Sequence, residues 1–576
     1  MSSEVPPPVQ RPADIPDERE AYREQLQVEM AKAFRARNAK LKDKTFTPGQ
    51  LMLLLCWSTV LCVIDMSIQA VSLDAMCTTY DIDKETSNWV STAYQIPLAA
   101  ISTIAGKIGD RYNITVVHRI AMISFVVLSV MCGISSHWSF MFLVIFRALQ
   151  GAAAAFLLSA NLNLIPTLTV DGRFKESMGY NTVVVAISSP LGPVLGGFIM
   201  QWASWPWIYY INIIPGVIGV ILCWKYLPNI PSIKESKFDI AGALFILVSL
   251  AVVVYGLTQL DSNIVVAIIC LISGIIALGL TLVYEWYLPD TPVLPRRLMK
   301  NLGVMCSLGG AFVCFAAQAS TVYSMPYLLE TCWHVSYDKV GLLSIVGPIF
   351  NMVGALFSTH IKTVKSRTIR MLSQFGMFIG YCTIAAFCSP VFGYDEVGPS
   401  LIFQQLAVSI GSFTQGCFTT MNTHFALQNS PLAFRGVSSG LVQAFREAGF
   451  AFGTALANAI IDLYVESSFG PKDTWPDSET FDGAFRTDYV KGCQLSFLLM
   501  SLLPFLGALL SWLSGVHPSE DHFYGMGDVF SCKPCRHQGE LKKPGEDKPL
   551  VGGDDDESDS TTTEQEEGDI ENQILE

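Results

Sequence analysis

The stretch Ser188-Ser-Pro190-Leu-Gly192-Pro193-Val-Leu-Gly196-Gly197 decides how this chain must be read. It lies inside an apolar segment, about Ser177 to Trp202, long enough to cross a bilayer as a helix. Two prolines and three glycines so close together would break a helix in water. In a bilayer they are tolerated, because neighbouring helices re-satisfy the freed backbone groups. The spacing Gly192-x-x-x-Gly196 also leaves room for a second helix to approach closely. The stretch therefore predicts a bendable, closely packed membrane span. Its plainer alternative is a kinked packing helix.

Working outward, the same apolar signal recurs from Leu51 to Val516. Of 576 residues, 51% are hydrophobic and only 15% charged, against about a quarter charged in a soluble domain. Fourteen spans are predicted, near 50–73, 89–108, 117–136, 139–165, 177–202, 206–227, 239–259, 263–286, 302–328, 338–358, 369–388, 400–427, 437–465 and 491–515. With the N-terminus inside, the loops on the cytosolic side carry sixteen Lys and Arg residues and the opposite loops five. That asymmetry places both termini in the cytosol. The sequon at Asn113 then faces the cytosol, out of reach of glycosylation.

The remaining segments are read from charge. Residues 1–49 form a cytosolic arm with one short helix, and no signal peptide precedes the first apolar run. The net charge of −13 resides mostly in the tail, where residues 540–576 hold fourteen acids and three bases. Residues 517–576 read as a disordered, solvated tail whose Ser and Thr are open to phosphorylation. Cys77 and Cys332 near predicted outer ends can pair or stay free. Cys532-x-x-Cys535-x-His537 supplies too few ligands for zinc and is either palmitoylated or unmodified. No metal or cofactor is expected. The expected partners are a small-molecule substrate, protons and the lipid bilayer, with no nucleic acid, for a chain acting as a monomer.

Ionisable residues inside spans are costly and by default mark a pathway or a coupling site. Asp65, mid-span in the first helix, can carry a proton or counter a cationic substrate, or be a carboxylate satisfied by packing. Arg147, with Gln150 and the small residues after Gly151, suits a protonatable carboxylate or a structural ion pair. Arg446 and Glu447 are adjacent in the thirteenth span and point about 100° apart. One is expected to face a cavity and the other a neighbouring helix. The Gly-containing loop Gly106-x-x-x-Asp110-Arg111 between spans two and three can cap helix ends and latch two bundles by a salt bridge.

Together these motifs resemble the major facilitator superfamily, specifically its fourteen-span drug:proton antiporter branch. Gly192-Pro193-x-x-Gly196-Gly197 resembles the antiporter signature of span five. Arg147-x-x-Gln150-Gly151 resembles the span-four motif used in proton transfer, Gly106-x-x-x-Asp110-Arg111 the cytoplasmic gate, and Ile64-Asp65-x-Ser67-Ile68 the first-span signature. Smaller echoes are Trp89-Val-x-x-Ala93-Tyr94, Trp207-Ile-x-Tyr210-Ile-Asn212, Phe238-Asp239-x-x-Gly242 and Arg435-Gly436 with Arg446. The departures are Tyr112 to His118 where the gate motif has Gly and basic residues, Ala70 and Asp74 in the first-span pattern, and Pro206 in place of an Arg.

The resemblance implies an all-α membrane protein of the major facilitator fold, two six-helix bundles plus two linker helices. The bundles are expected at 50–228 and 301–516, with the linker helices at 229–300. It implies proton-coupled export of small hydrophobic or cationic compounds by alternating access, at the plasma membrane or alternatively a vacuolar or endosomal one. Asp65 would be the proton or cation site, with Glu447 next in line, and Arg147 would tune proton transfer. Gly192, Pro193, Gly196 and Gly197 would supply the bend, and Asp110 and Arg111 the inner gate. The alternatives are a proton-linked transporter of a nutrient-like solute, such as a basic amino acid or metal chelate, and a transport-dead sensor. No nucleophile–base or metal constellation suggests an enzyme, and no Walker loop suggests ATP.

Overall fold

A computed structural model of the chain describes residues 46–169, 173–230, 239–259, 264–287, 292–331, 337–361, 364–388, 399–430, 434–470 and 483–514. Fourteen long helices account for nearly all of them. They are α1 (Pro48–Ile68), α2 (Trp89–Arg111), α3 (Ile114–Ile134), α4 (Phe140–Leu168), α5 (Phe174–Trp202), α6 (Ile213–Tyr226) and α7 (Ile240–Thr258). The second seven are α8 (Ile264–Tyr287), α9 (Leu302–Thr331), α10 (Tyr337–His360), α11 (Ser366–Phe387), α12 (Pro399–Gln428), α13 (Arg435–Phe469) and α14 (Gly483–Leu513). Each predicted span has one helix. The arm up to residue 45, Cys332, and the acidic tail with Cys532, Cys535 and His537 lie outside the described residues. Cys77 is a free thiol.

Local chemistry sets several helix starts. Thr47 and Gln50 form a reciprocal capping box ahead of Pro48. Asn113, the sequon asparagine, accepts from Thr115 N at 3.1 Å and Val116 N at 3.3 Å and so caps α3. Asp239 caps α7 by accepting from Gly242 N at 2.9 Å. Two boundaries differ from the sequence reading. Residues 106–111 are not a loop but the last turns of α2, and α13 and α14 run beyond the predicted spans 437–465 and 491–515, α13 to Phe469 and α14 from Gly483.

Eleven of the helices are long and apolar enough to span a bilayer by composition alone. The other three, α2, α11 and α12, carry their polar residues into the protein. On α12, Gln404, Gln415, Thr420 and Asn422 are all buried. A polar group turned inward finds partners that lipid cannot supply. The opposite case is α8, whose exposed Ile268, Ile272, Ile276 and Leu280 leave an apolar face for lipid.

The helices sort into two bundles of six. In the first, α2 and α3 pack on α4, α1 packs on α5, and α6 lies against α1 and α3. In the second, α9 packs on α13 and α14, α11 on α12 and α14, and α10 on α12. The bundles meet along two seams, α2 with α13 and α5 with α10. The linker pair stands outside: α7 packs on α2 and α13, and α8 on α7.

Glycines let the closest crossings form. A Cβ at Gly449 or Gly453 of α13 would collide with the backbone of Phe312 or Ala316 in α9, whereas Gly279 on α8 faces open space. Gly453→Val is therefore expected to cost at least about 1–3 kcal/mol, the usual range for overpacking. Gly279→Val should be near neutral. Thermal unfolding of the purified variants in detergent compares them.

Candidate functional site

A cavity of about 1060 Å3 lies between the two bundles. Its walls come from α1, α2, α4 and α5 on one side and α9 to α13 on the other. It reaches Leu73, Asn88, Trp89 and Gln259, so it runs toward the end of the bundle opposite the basic loops. The lining is amide-rich, with Gln95, Gln318, Gln405, Gln415, Gln443 and Asn351 among aromatic rings such as Tyr94, Phe315 and Tyr381.

Two charged residues line it among the described residues, Arg446 and Glu447. Both do, contrary to the expectation that one would face a neighbouring helix. A separation of about 100° is well under half a helical turn, and the cavity wraps that far around α13. Glu447 Oε1 accepts from Gln443 Nε2 at 2.7 Å. The Arg446 guanidinium lies 4.4 Å from the Phe315 ring centroid, a cation–π contact, and its Nε has no hydrogen-bond partner.

Asp65 and Arg147 are not in the cavity wall. They form a buried ion pair inside the first bundle, Arg147 Nη1 to Asp65 Oδ2 at 2.5 Å. Asp65 Oδ1 accepts from Gln150 Nε2 at 3.1 Å and Asn212 Nδ2 at 2.7 Å. Arg147 also donates to Gln69 Oε1 and to Gln150 Oε1, the latter at 2.9 Å. Its guanidinium lies 4.4 Å from the centroid of Tyr94, and Tyr94 lines the cavity. One aromatic ring thus stands between the ion pair and the cavity.

Such a cluster solves an electrostatic problem. Each buried ion loses several kcal/mol of hydration, recovered only when the pair is close and its remaining donors and acceptors are satisfied. Three helices and one turn supply these groups: α1 gives Asp65, α4 Arg147 and Gln150, α3 Ser129, which accepts from Asn212 at 3.0 Å, and the turn before α6 gives Asn212. The sequence reading placed Asp65, Arg147 and Gln150 as pathway residues but missed Gln69 and Ser129 as members of the cluster. Asn212 was visible only as a polar residue in one of the weaker motif echoes.

The central glycines divide in two. A Cβ at Gly192 would meet Ser67 and, at 2.8 Å, the amide nitrogen of Ile68. One at Gly196 would lie 3.0 Å from the Ile68 carbonyl oxygen. These two glycines let α1 dock on α5. Gly197 has open space around it, so packing does not require a glycine there. Pro190 and Pro193 line the cavity, and α5 passes through both without interruption.

At the basic-loop end the cavity is closed. Gly106 of α2 rests against the Gly436 carbonyl at the start of α13, where a Cβ would collide. Asp110 Oδ1 accepts from Gly436 N at 2.8 Å and Oδ2 from Val437 N at 2.9 Å. Asn163 Nδ2 donates to the same carboxylate at 3.2 Å. The anticipated latch thus includes a carboxylate seated on the first amides of α13, where orphan N–H groups and the helix dipole favour negative charge. Arg111 lies 5.3 Å from the Tyr112 ring centroid. On the second seam Lys175 Nζ donates to the Ile361 carbonyl at 2.6 Å.

Comparison with known proteins bears on the family. The sequence profile of the Major Facilitator Superfamily matches residues 55–454. The riboflavin transporter RibZ of Clostridioides difficile is 24% identical over 80% of this chain and 96% of its own length. The methylenomycin A resistance protein of Bacillus subtilis is 23% identical over 83% of this chain and 96% of its own. The crystal structure of the human organic anion transporter MFSD10 superposes with a TM-score of 0.56 at 11% identity, covering 81% of this chain and all of that one. That likeness concerns the fold.

Asp110→Ala removes the acceptor for two backbone amides and is expected to loosen the closed end. Spin labels on the exposed Tyr112 and Val364, at that end of the two bundles, should gain a longer-distance population in pulsed resonance measurements. An unchanged distance distribution would mean that Asp110 does not hold the seam.

Proposed function

The chain belongs to the major facilitator superfamily, a family of membrane transporters, and on that premise we propose that it exports small hydrophobic or cationic compounds in exchange for protons. The observation that carries this reading is the cavity. It is shared by both bundles, closed at the basic-loop end, and offers Glu447 as the only carboxylate among its described lining residues. A cationic solute entering from either side would find its counter-charge there, beside rings able to bind a cation face-on. The methylenomycin A resistance relative supports an export role.

In this reading Asp65 carries the proton. Here it is held by Arg147, Gln150 and Asn212, so protonation requires α1 to shift against α4 and release the guanidinium. Because α1 is docked on α5 through Gly192 and Gly196, that shift would move a wall of the cavity. Loading Asp65 with a proton would thereby be linked to which side the cavity faces. The basic-loop end would be cytosolic, in a plasma membrane or, as the alternative, a vacuolar one.

A second reading is proton-linked movement of a polar, nutrient-like solute. The number of amide side chains in the wall favours it, because such groups recognise hydrogen-bonding solutes better than greasy ones. The relative named as a riboflavin transporter points the same way.

The test is substrate-dependent proton flux in proteoliposomes, run with cationic dyes and with polar vitamins and amino acids. Asp65→Asn is expected to abolish coupled flux. It also leaves Arg147 without its anion, so a loss of about 3–5 kcal/mol of stability accompanies it, and unfolding must be measured alongside. Glu447→Gln should leave stability nearly intact and selectively weaken transport of cations. Coupled flux that survives Asp65→Asn would remove Asp65 from the proton path. Equal transport of cations and neutral solutes by the Glu447 variant would favour the second reading.

A further inference from the structure

The linker helices hold a pair of carboxylates that neither the cavity nor the ion pair uses. Glu285, near the end of α8, is 1% exposed despite its charge. Its Oε2 accepts from the backbone of Leu294 at 3.1 Å, and its Oε1 has no partner. Asp239, the N-cap of α7, spends Oδ1 on Gly242 N at 2.9 Å and on the Tyr284 hydroxyl at 3.3 Å. Its Oδ2 is buried and also has no partner. Both orphan oxygens flank one glycine: a Cβ at Gly242 would strike Glu285 Oε1 and Asp239 Oδ2 alike. Both oxygens lie within 2.5 Å of the point that Cβ would occupy, and neither has a donor.

We propose that Asp239 and Glu285 bind one proton between them, and that this proton keeps the α7–α8 linker seated on the α2–α13 seam. Two like charges this close in an apolar setting cannot both persist, so the first proton is retained by the pair rather than by either acid. The oxygens number too few for a metal cage, and no cluster of three or more metal-ligating side chains occurs among the described residues. Asp239 is only half-buried, which gives the pair a route to solvent.

The groups around the pair fit this assignment. Tyr284 on α8 already donates to Asp239. Lys107 on α2 acts in the opposite sense, its charge favouring the Glu285 carboxylate, and is the weakest of the influences on that group. Arg296 and Lys300, on the segment that follows α8, are held over the Trp286 ring, 5.4 and 5.7 Å from its centroid. From α13 the neighbours are apolar, with Val437 and Leu441 sharing one cluster with Ala243, Ile246, Leu294 and the half-buried Ile104. Val437 is also one of the two amides that Asp110 grips. The carboxylate pair therefore adjoins the apolar packing that backs the latch. Loss of its proton would place two negative charges against that packing and push the linker outward.

The experiment uses the full-length purified protein and does not depend on which solute is transported. Infrared difference spectra between mildly acidic and mildly alkaline buffer should show a protonated-carboxyl band lost whole in Asp239→Asn and lost whole again in Glu285→Gln. Loss in only one variant would mean a private proton, and persistence in both would mean no proton; either result overturns the proposal. A band that responds to sodium rather than pH overturns it too. Gly242→Ala keeps both acids but drives a methyl between them, so it should shift or abolish the band even if the acid variants fold poorly; an unchanged band counts against sharing. The folded chain would bind one proton more than the unfolded chain, so stability should fall as pH rises through the deprotonation of the pair. Glu285→Gln should flatten that slope. The distance between spin labels at Tyr112 and Val364 should lengthen with pH in the wild type and not in Glu285→Gln; equal behaviour of the two would detach the pair from the seam.

Discussion

The carboxylate of Asp110, seated on the Gly436 and Val437 amides of α13, is the contact on which the rest of this conformation depends. It lies where α2 meets the start of α13, at the end of the inter-bundle space away from which the cavity runs. The bond is directional and charge-assisted, so it is strong when made. It also joins a side chain of one bundle to the backbone of the other, so sliding the bundles apart breaks it at once. The glycine contact at Gly106 makes it possible by bringing α2 within reach of the start of α13.

Charge in this protein falls in three separate places. Asp65 and Arg147 are sealed and fully partnered inside one bundle, where desolvation is offset by a close pair and several hydrogen bonds. Arg446 and Glu447 line the cavity, and the Arg446 Nε has no hydrogen-bond partner. Asp239 and Glu285 sit outside both bundles, on the linker. The three groups are spatially separate, yet each lies on an element packed at a bundle contact: α1 on α5, α13 beside the cavity, and α7 on the seam.

Much of this was legible in the sequence, and the reasons are specific. Hydrocarbon admits only backbones satisfied from within, so long apolar runs mark helical spans and basic-loop asymmetry marks their orientation. Asp65, Arg147 and Gln150 stood out because a polar residue in such a span is expensive. Gln69 and Ser129 were missed because an isolated Gln or Ser near a span end carries no such signal. The gate was recognised as a motif but misplaced in a loop, since its glycines suggested a turn, whereas the helix keeps them for a close crossing.

What the sequence by itself determined is the number and order of the helices, the residues whose burial must be compensated, and the family. These follow from local composition and from a solvent that leaves the backbone little choice. Only the tertiary structure decided that Asp65 pairs with Arg147 away from the cavity, that Arg446 and Glu447 both face it, and that Asp239 meets Glu285 across Gly242. The Asp65–Arg147 and Asp239–Glu285 contacts join residues many tens of positions apart. Their partners are set by which helix faces meet once two bundles and a linker pack together, and no periodicity within a single helix records that.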